Sequence, residues 1–185
     1  LDFRGIQDAY MRDKAIDYFE NSRRAIYAQQ AYAMRNPKNF VGYDRLCWGI
    51  TASDGPGPAV RKIRGKKVRF YDYIARAVPY GPDDGTIAPW AVAASIPFAP
   101  EVVAPTIAHM KALHIKVPNP YGFKASFNSV FSGDADAVGW VSPYHFGINE
   151  GPTVIMIENH RSGLVWSLMR RCAPLRRGLE RAGFE

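Results

Sequence analysis

Three short loops of the sequence combine carboxylates with glycine, and aromatic residues lie close to each of them. The loops span residues 48–56, 83–86 and 149–152. Segments this rich in Gly, Pro and Asp rarely form a helix or strand, and such loops carry function more often than core segments do. Acidic loops beside aromatic side chains are typical of a site that binds a sugar.

Hydrolysis of a glycosidic bond needs two carboxyl groups, one to protonate the leaving oxygen and one to activate water or attack carbon. We predict Asp54 and Glu158 as these catalytic groups. Asp54 precedes Gly55 and Pro56, so its side chain could instead organise a turn. Glu158 follows an apolar run, where burial would raise its pKa as a general acid requires. The alternative for Glu158 is a structural ion pair with Arg161.

Further polar residues are predicted to bind a substrate, namely Asp84, Asn149, Glu150, Arg161 and Glu20. Asp84 could equally organise its loop or cap the next helix. Glu20 lies within a long helical segment, where ion pairs with arginines three and four residues later are the alternative. Five aromatic residues could stack on sugar rings, although core packing is the more frequent role of any single aromatic. They are Trp48, Trp90, Trp140, Tyr144 and Phe146, and the loop position of Trp48 makes it the first choice.

Several longer stretches, taken with these loops, resemble the bacterial glucoamylase-like family. They read Tyr-Phe-Glu-Asn-Ser-Arg-Arg at 18–24, Ser-Ile-Pro-Phe-Ala-Pro-Glu at 95–101 and Ile-Met-Ile-Glu-Asn-His-Arg-Ser-Gly-Leu at 155–164. The resemblance runs from about Asp2 to Met169. Family members include endo-β-1,2-glucanases and domains attached to cyclic β-1,2-glucan synthases.

The resemblance implies an all-α fold related to an (α/α)6 toroid, with the active site in its central depression. Residues 1–185 would form a single region, the C-terminal half of a larger catalytic domain. The implied function is inverting hydrolysis of a β-glucan, with β-1,2-glucan as the first choice and no metal or organic cofactor. A periplasmic, extracellular or membrane-attached parent is also implied.

The third loop departs from the family pattern. The family carries Asp-Gln-Gly-Pro where this chain has Asn149, Glu150, Gly151 and Pro152, and an asparagine cannot accept a proton. Glu150 could take over from the adjacent position. Alternatively, the chain is a non-catalytic carbohydrate-binding or scaffold domain, or the catalytic base lies in the other half of the parent. Trp90 and His160 replace a smaller residue and a tyrosine, which could reshape subsites.

The positive charge of the chain is local. Six of its Lys and Arg residues lie within residues 61–69, and the remainder of the chain carries 18 positive against 17 negative residues. A solvated hairpin is the plain interpretation of this cluster, and phosphate or an anionic substituent on a glucan is the sharper one. Nucleic acid is an improbable partner because no nucleic-acid-binding motif accompanies the basic residues.

The remaining composition is that of a globular protein, with 47% hydrophobic residues and no apolar run long enough for a membrane span. Cys47 and Cys172 are expected to be free thiols. The four histidines, His114 among them, lack the spacing of a zinc site. Because the chain starts at Leu1 and not Met, an upstream segment was removed or lies outside this sequence.

Helical periodicity and proline positions predict the elements that must hold these loops. We expect helices over 17–35, 89–94, 100–114, 151–160, 164–172 and 175–182, a short hairpin within 61–73, and an irregular segment over 117–150. Pro105 should kink or shorten its helix. Half a toroid would either pair with a second copy or expose a large apolar patch. Trp48, Asp54, Asp84 and Asn149 should line one depression.

Overall fold

The computed structural model describes residues 2–113, 115, 119–132 and 139–185. This part of the chain is mostly helical, as the sequence predicts, and it contains two small sheets, of which the sequence predicts the two-stranded one. The helices are α1 Ala9–Lys14, α2 Tyr18–Arg35, α3 Pro89–Ala93, α4 Pro100–Ala112, α5 Gly147–Ser162, α6 Leu164–Arg171 and α7 Ala173–Arg181. The strands are β1 Ala59–Ile63, β2 Lys66–Phe70, β3 Thr86–Ile87, β4 Phe127–Asn128 and β5 Trp140–Val141.

Helix α2 begins and ends at residues whose side chains and backbone suit those positions. The Asp17 carboxylate accepts a hydrogen bond from the Glu20 amide at 2.8 Å and so caps the first turn. Asn36 adopts a left-handed conformation with φ of 42° and closes the last turn ahead of Pro37. The predicted helix is therefore confirmed, whereas α1, capped by Asp8, was not predicted.

Strands β1 and β2 form the predicted hairpin, although it begins two residues earlier than the predicted segment. Arg64 and Gly65 both have positive φ, at 47° and 82°, which is the signature of a two-residue turn that matches strand twist. The pairing places Lys62 directly opposite Lys67 and Ile63 opposite Lys66. One face of the hairpin packs on the core through Phe70, which is 1% exposed.

A three-stranded antiparallel sheet holds the irregular segment to the second loop. Its order is β3-β4-β5, and each strand has two residues. Strands this short carry no detectable alternation, so the sequence could not predict them. The sheet brings the neighbourhood of Thr86 beside residues 126–128 and 140–142.

Helix α4 continues through Pro105, so the predicted shortening does not occur at this residue, and the predicted last residue, His114, lies outside the described residues. A proline inside a helix removes one backbone hydrogen bond. Val103 and Met110, on either side of Pro105, are both fully buried and anchor the helix to the core across that gap.

Helix α5 begins at Gly147, four residues before the predicted helix over 151–160, so residues 149–152 are helical and do not form the predicted third loop. Its apolar side chains are solvent-exposed, with Ile148 at 80% and Val154 at 66%, while Asn149 and Asn159 are its buried residues. Asn159 accepts a hydrogen bond from the Trp166 amide at 2.9 Å, which fixes α6 against α5. These exposed side chains are consistent with the apolar patch that half a toroid would expose, which stays a prediction. Among the described residues, no helix has the length and hydropathy to cross a bilayer.

Candidate functional site

Asp54 connects the first loop to the three-stranded sheet. It is 6% exposed, Ser126 Oγ donates to its Oδ1 at 2.7 Å, and Ser142 Oγ donates to its Oδ2. Ser126 immediately precedes β4 and Ser142 immediately follows β5. Both carboxylate oxygens are therefore engaged within the fold, which favours a structural role for Asp54 over direct contact with a substrate.

Asp84 forms a two-bond ion pair with Arg76. Arg76 Nε donates to Oδ1 and Nη2 donates to Oδ2, each at 2.9 Å, and both side chains are fully buried. Burial acts to raise the pKa of Asp84, but the hydrogen bonds and charge of Arg76 outweigh it, and the pKa is lowered. Arg76 also donates to the Ser53 carbonyl, so the pair joins the first and second loops. This geometry favours the alternative in which Asp84 organises its loop, and binding of substrate by Asp84 has no geometric support.

Asp83, the neighbour of Asp84 in the second loop, is also buried and hydrogen-bonded within the fold. It accepts hydrogen bonds from Tyr43 Oη at 2.7 Å and from Tyr32 Oη at 2.9 Å. Burial and the nearby Asp83 charge raise the pKa of Tyr32 to about 12 and raise that of Tyr43 well above its usual value. Both phenols therefore stay protonated as donors to Asp83 at neutral pH.

The sequence missed Arg76, Ser126 and Ser142 as partners of the loop carboxylates. Arg76 carried a usable signal, because it lies in the apolar run Ile-Ala-Arg-Ala-Val, and a buried cation requires an anion. The two serines carried none, since isolated serines are common on surfaces and in loops.

Trp48 is a core residue and not a sugar platform. It is 2% exposed, and its indole Nε1 donates to Thr106 Oγ1 on α4 at 2.9 Å. A ring face that is packed on all sides cannot stack on a pyranose. The sequence predicts one depression lined by Trp48, Asp54, Asp84 and Asn149. Trp48 and Asp84 are both buried inside the fold, so the structure does not support their part in it.

A depression of about 190 Å³ lies on the surface between α3, α4, α5 and the loop around Gly122. Its apolar wall contains Trp90, Ile107 and Phe123, and Tyr121 stands at the rim with 72% of its surface exposed. Helix α5 contributes side chains one and two turns apart on the same face, which are Glu150, Thr153 and Ile157. Aromatic walls with a few polar groups are the usual lining of a small-molecule site.

Glu150 is the carboxylate of this depression, and His145 stands beside it. His145 Nδ1 lies 3.4 Å from Glu150 Oε1, and the Tyr121 ring meets the imidazole edge to face at 5.6 Å between centroids. Two buried atoms here lack a hydrogen-bond partner within the described protein, Trp90 Nε1 and His145 Nε2. The lining of the depression itself combines one carboxylate with aromatic walls, which suits a ligand that has both hydroxyl groups and apolar ring faces.

The other predicted residues of α5 have different surroundings. Glu158 accepts hydrogen bonds from Ser162 Oγ at 2.6 Å and from Arg161 Nη1 at 3.3 Å, which supports the structural ion-pair alternative. Neither Glu158 nor Arg161 lines the depression. Asn149 is 7% exposed in the first turn of the helix, next to Glu150. Eight residues separate Glu150 from Glu158, which corresponds to about 12 Å along the helix.

Glu20 lies on the exposed face of α2 and pairs with arginines of its own helix. It is 3.3 Å from Arg24, and Arg23 reaches across to Glu101 at 2.9 Å. The hydrogen bond from Tyr27, together with that from Arg23, lowers the pKa of Glu101 to about 2. Glu20 is not among the residues lining the depression, so its predicted binding role has no geometric support.

The remaining aromatic candidates lie in β5 and just before α5. Tyr144 is 57% exposed and packs on Phe146 at 5.6 Å, immediately before α5, while Trp140 is partly buried in β5. Within the described ranges, no cluster of His, Cys, Asp and Glu could hold a metal ion, and His114 lies outside those ranges. Cys47 is buried and Cys172 exposed, both as free thiols.

Comparisons with known proteins place the chain among carbohydrate-active relatives. The Glycoamylase family model, described as "Putative glucoamylase", matches residues 1–173. An exo β-1,2-glucooligosaccharide sophorohydrolase (non-reducing end) of Parabacteroides distasonis is 32% identical over 186 residues, covering 97% of this chain and 22% of the relative.

Two solved structures have a similar backbone. The endo-β-1,2-glucanase of Chitinophaga pinensis, solved with sophorotriose and glucose, has a TM-score of 0.81 and 30% identity, and it matches 100% of this chain and 38% of its own. A β-1,2-glucanase of Parabacteroides distasonis has a TM-score of 0.74 and 30% identity, and it matches 99% of this chain and 23% of its own. The chain therefore spans well under half the length of these relatives.

Proposed function

The chain belongs to the Glycoamylase family, and we propose that it supplies part of the active site of a glycoside hydrolase that cleaves β-1,2-glucan. The observation that carries the proposal is the depression that contains Glu150, Trp90 and Tyr121. The depression combines a carboxylate with aromatic walls. The relatives of the chain are named as β-1,2-glucan hydrolases.

We assign Glu150 to the activation of water in an inverting mechanism. A solvent-accessible carboxylate suits this task, whereas the general acid needs a raised pKa from burial. His145 orients the Glu150 carboxylate through the contact between Nδ1 and Oε1. In inverting enzymes the two carboxyl groups stand roughly 6.5 to 9.5 Å apart. Within the described residues Glu150 alone brings a carboxylate to the depression, so a region of the kind that the longer relatives carry would supply the acid.

A second candidate function is a non-catalytic carbohydrate-binding or scaffold domain. The specific observation in its favour is Asn149, which stands in the first turn of α5 and cannot exchange a proton. The same depression would then hold a glycan without cleaving it.

Titration of the isolated chain with sophorotriose tests the binding step. We expect weak, saturable binding with chemical-shift changes at Trp90 and Tyr121, and negligible release of reducing ends from β-1,2-glucan. Laminarin and soluble starch serve as β-1,3 and α-1,4 controls. Equal affinity for all three glucans would contradict the assignment of substrate.

A chimera tests the catalytic step. Residues 1–185 replace the matched 38% of the Chitinophaga pinensis endo-β-1,2-glucanase, and reducing ends are measured on β-1,2-glucan. We expect Glu150→Gln to lower kcat at least about 10²-fold, and Asn149→Asp to raise it. Glu158→Gln is the matched control, because its carboxylate is held by Arg161 and Ser162. A chimera that binds sophorotriose but turns over nothing, with or without Asn149→Asp, would favour the scaffold function.

A further inference from the structure

We infer that the basic hairpin forms a second site, separate from the depression, which binds a tetrahedral oxyanion such as a phosphate or sulfate group. The site is a cavity of about 120 Å³ between the hairpin and the loop 38–41. Three cationic side chains line it, from Lys38, Arg64 and Lys66.

The local structure explains why these cations converge. Strand alternation places Lys66 on the same face of β2 as Val68 and Phe70, so it points over the core-facing side. Arg64 occupies the turn in a left-handed conformation, and it lines the same cavity as Lys66. Lys38 approaches from the other side, with its ammonium 2.9 Å from the Asp83 carbonyl, which uses one of three donors.

The part of the chain that the structure describes holds no counter-charge against the hairpin. Among the described residues, no carboxylate forms an ion pair with any of the six basic side chains of 61–69 or with Lys38. Lys62 and Lys67 even stand opposite each other across the hairpin, an unfavourable like-charge pair. That pair lies on the outer face of the hairpin, whereas Arg64 and Lys66 line the cavity.

The floor of the cavity is apolar, which strengthens the attraction between an anion and the three cations. Phe40, Val41 and Val130 are buried apolar residues beneath the cations. Apolar walls lower the local dielectric constant, so a charge held above them is screened less than on an open surface. The cavity volume suits a single oxyanion group, either free or as a monoester on a sugar or lipid.

Titration of the whole chain with sodium phosphate and sodium sulfate, at fixed ionic strength with chloride as the reference, tests this site. We expect saturable amide shifts confined to residues 38–41 and 63–66. The double variant Arg64→Asn/Lys66→Gln should weaken binding at least about tenfold, because it removes two of the three cations that line the cavity and their charge-assisted hydrogen bonds to the anion. Lys38→Gln should weaken it as well, which guards against a hairpin that is merely misfolded.

The matched control removes two charges from the outer face of the hairpin. Lys62→Gln/Lys67→Gln should keep the affinity within about threefold, since neither residue lines the cavity. Glucose 6-phosphate and vesicles of phosphatidylcholine with phosphatidic acid distinguish a sugar source from a lipid source. Equal losses in the two double variants, or shifts that do not saturate, would show diffuse charge attraction and overturn the site.

Discussion

Asp84 and Arg76 are both fully buried, so each charge depends on the other for the solvation it loses on folding. Asp84→Asn should therefore destabilise the fold by about 3–5 kcal/mol at neutral pH, because it leaves the guanidinium without a counter-charge. Urea unfolding measures this effect. Asp13→Asn is the control, since the Asp13 side chain is 68% exposed and should change stability by less than about 0.5 kcal/mol.

The ion pair of Asp84 and Arg76 should make the stability of the fold fall as the pH is lowered. The pKa of Asp84 in the folded protein lies below its ordinary value of 3.8, so its contribution to stability is complete above that value. The contribution is lost as the pH falls through the folded-state pKa. The stability difference between wild type and Asp84→Asn should consequently shrink in acid, as unfolding curves at about pH 7 and about pH 3 would reveal. A constant difference would contradict the depressed pKa.

Replacement by phenylalanine should affect mainly stability at Trp48 and mainly sugar binding at Trp90. Trp48→Phe removes the hydrogen bond to Thr106 and leaves a gap in the core, which should cost about 1–3 kcal/mol. Trp90→Phe removes an N–H that has no acceptor within the described protein, so stability should change by less than about 1 kcal/mol while sophorotriose binding weakens. If Trp48→Phe reduced sugar binding without loss of stability, its core assignment would be wrong.

At the scale of elements, glycines decide whether the loops can approach the strands. Gly85 has φ of 87°, and a Cβ there would lie 2.3 Å from Val130 Cγ2. Gly65 has a similar φ of 82°, but nothing lies within 4 Å of its Cβ position. Gly65→Ala should therefore cost about 1–2 kcal/mol from backbone strain alone, and Gly85→Ala about 1–3 kcal/mol more. Thermal unfolding of both variants measures the difference, and equal losses would contradict the packing argument.

At the scale of the whole molecule, α5 and α6 present apolar side chains to solvent. Ile148, Val154 and Leu168 are exposed by 80%, 66% and 52%. We expect the isolated chain to bind a hydrophobic dye such as ANS or to self-associate at high concentration, because large exposed apolar patches mark a surface that packs against something. Val154→Lys/Leu168→Lys should reduce both signals. Val60→Lys on the hairpin is the control, and a monomer that binds no dye would contradict this expectation.

The patch is consistent with the short span of the chain relative to its relatives, such as the 38% of the Chitinophaga pinensis structure that it matches. Packing of this face against further polypeptide, or against a second copy, stays a proposal. Sedimentation of the chain over a range of concentrations would separate the two.

The sequence by itself determined α2, α3, α4, the hairpin, α6, α7 and the part of α5 from residue 151, because periodicity, caps and prolines act locally. It also carried the family resemblance. It could not determine which of these residues face a ligand, since the sequence assigned both Trp48 and Glu150 to Gly-bearing acidic loops, whereas Glu150 lies in the first turn of α5. Only the tertiary structure decided that Trp48 packs on Thr106 and that Glu150 lines a depression.

The physical reason is that burial depends on partners distant in the chain. Asp84 is buried because Arg76 reaches it, and Asp54 because Ser126 and Ser142 arrive 72 and 88 residues later. Those serines are positioned by two-residue strands whose pairing has no local signature. The residue types therefore predicted carboxylate and aromatic chemistry. Hydrogen bonds between residues distant in the chain decided which carboxylates are buried between the loops and which lie at the surface.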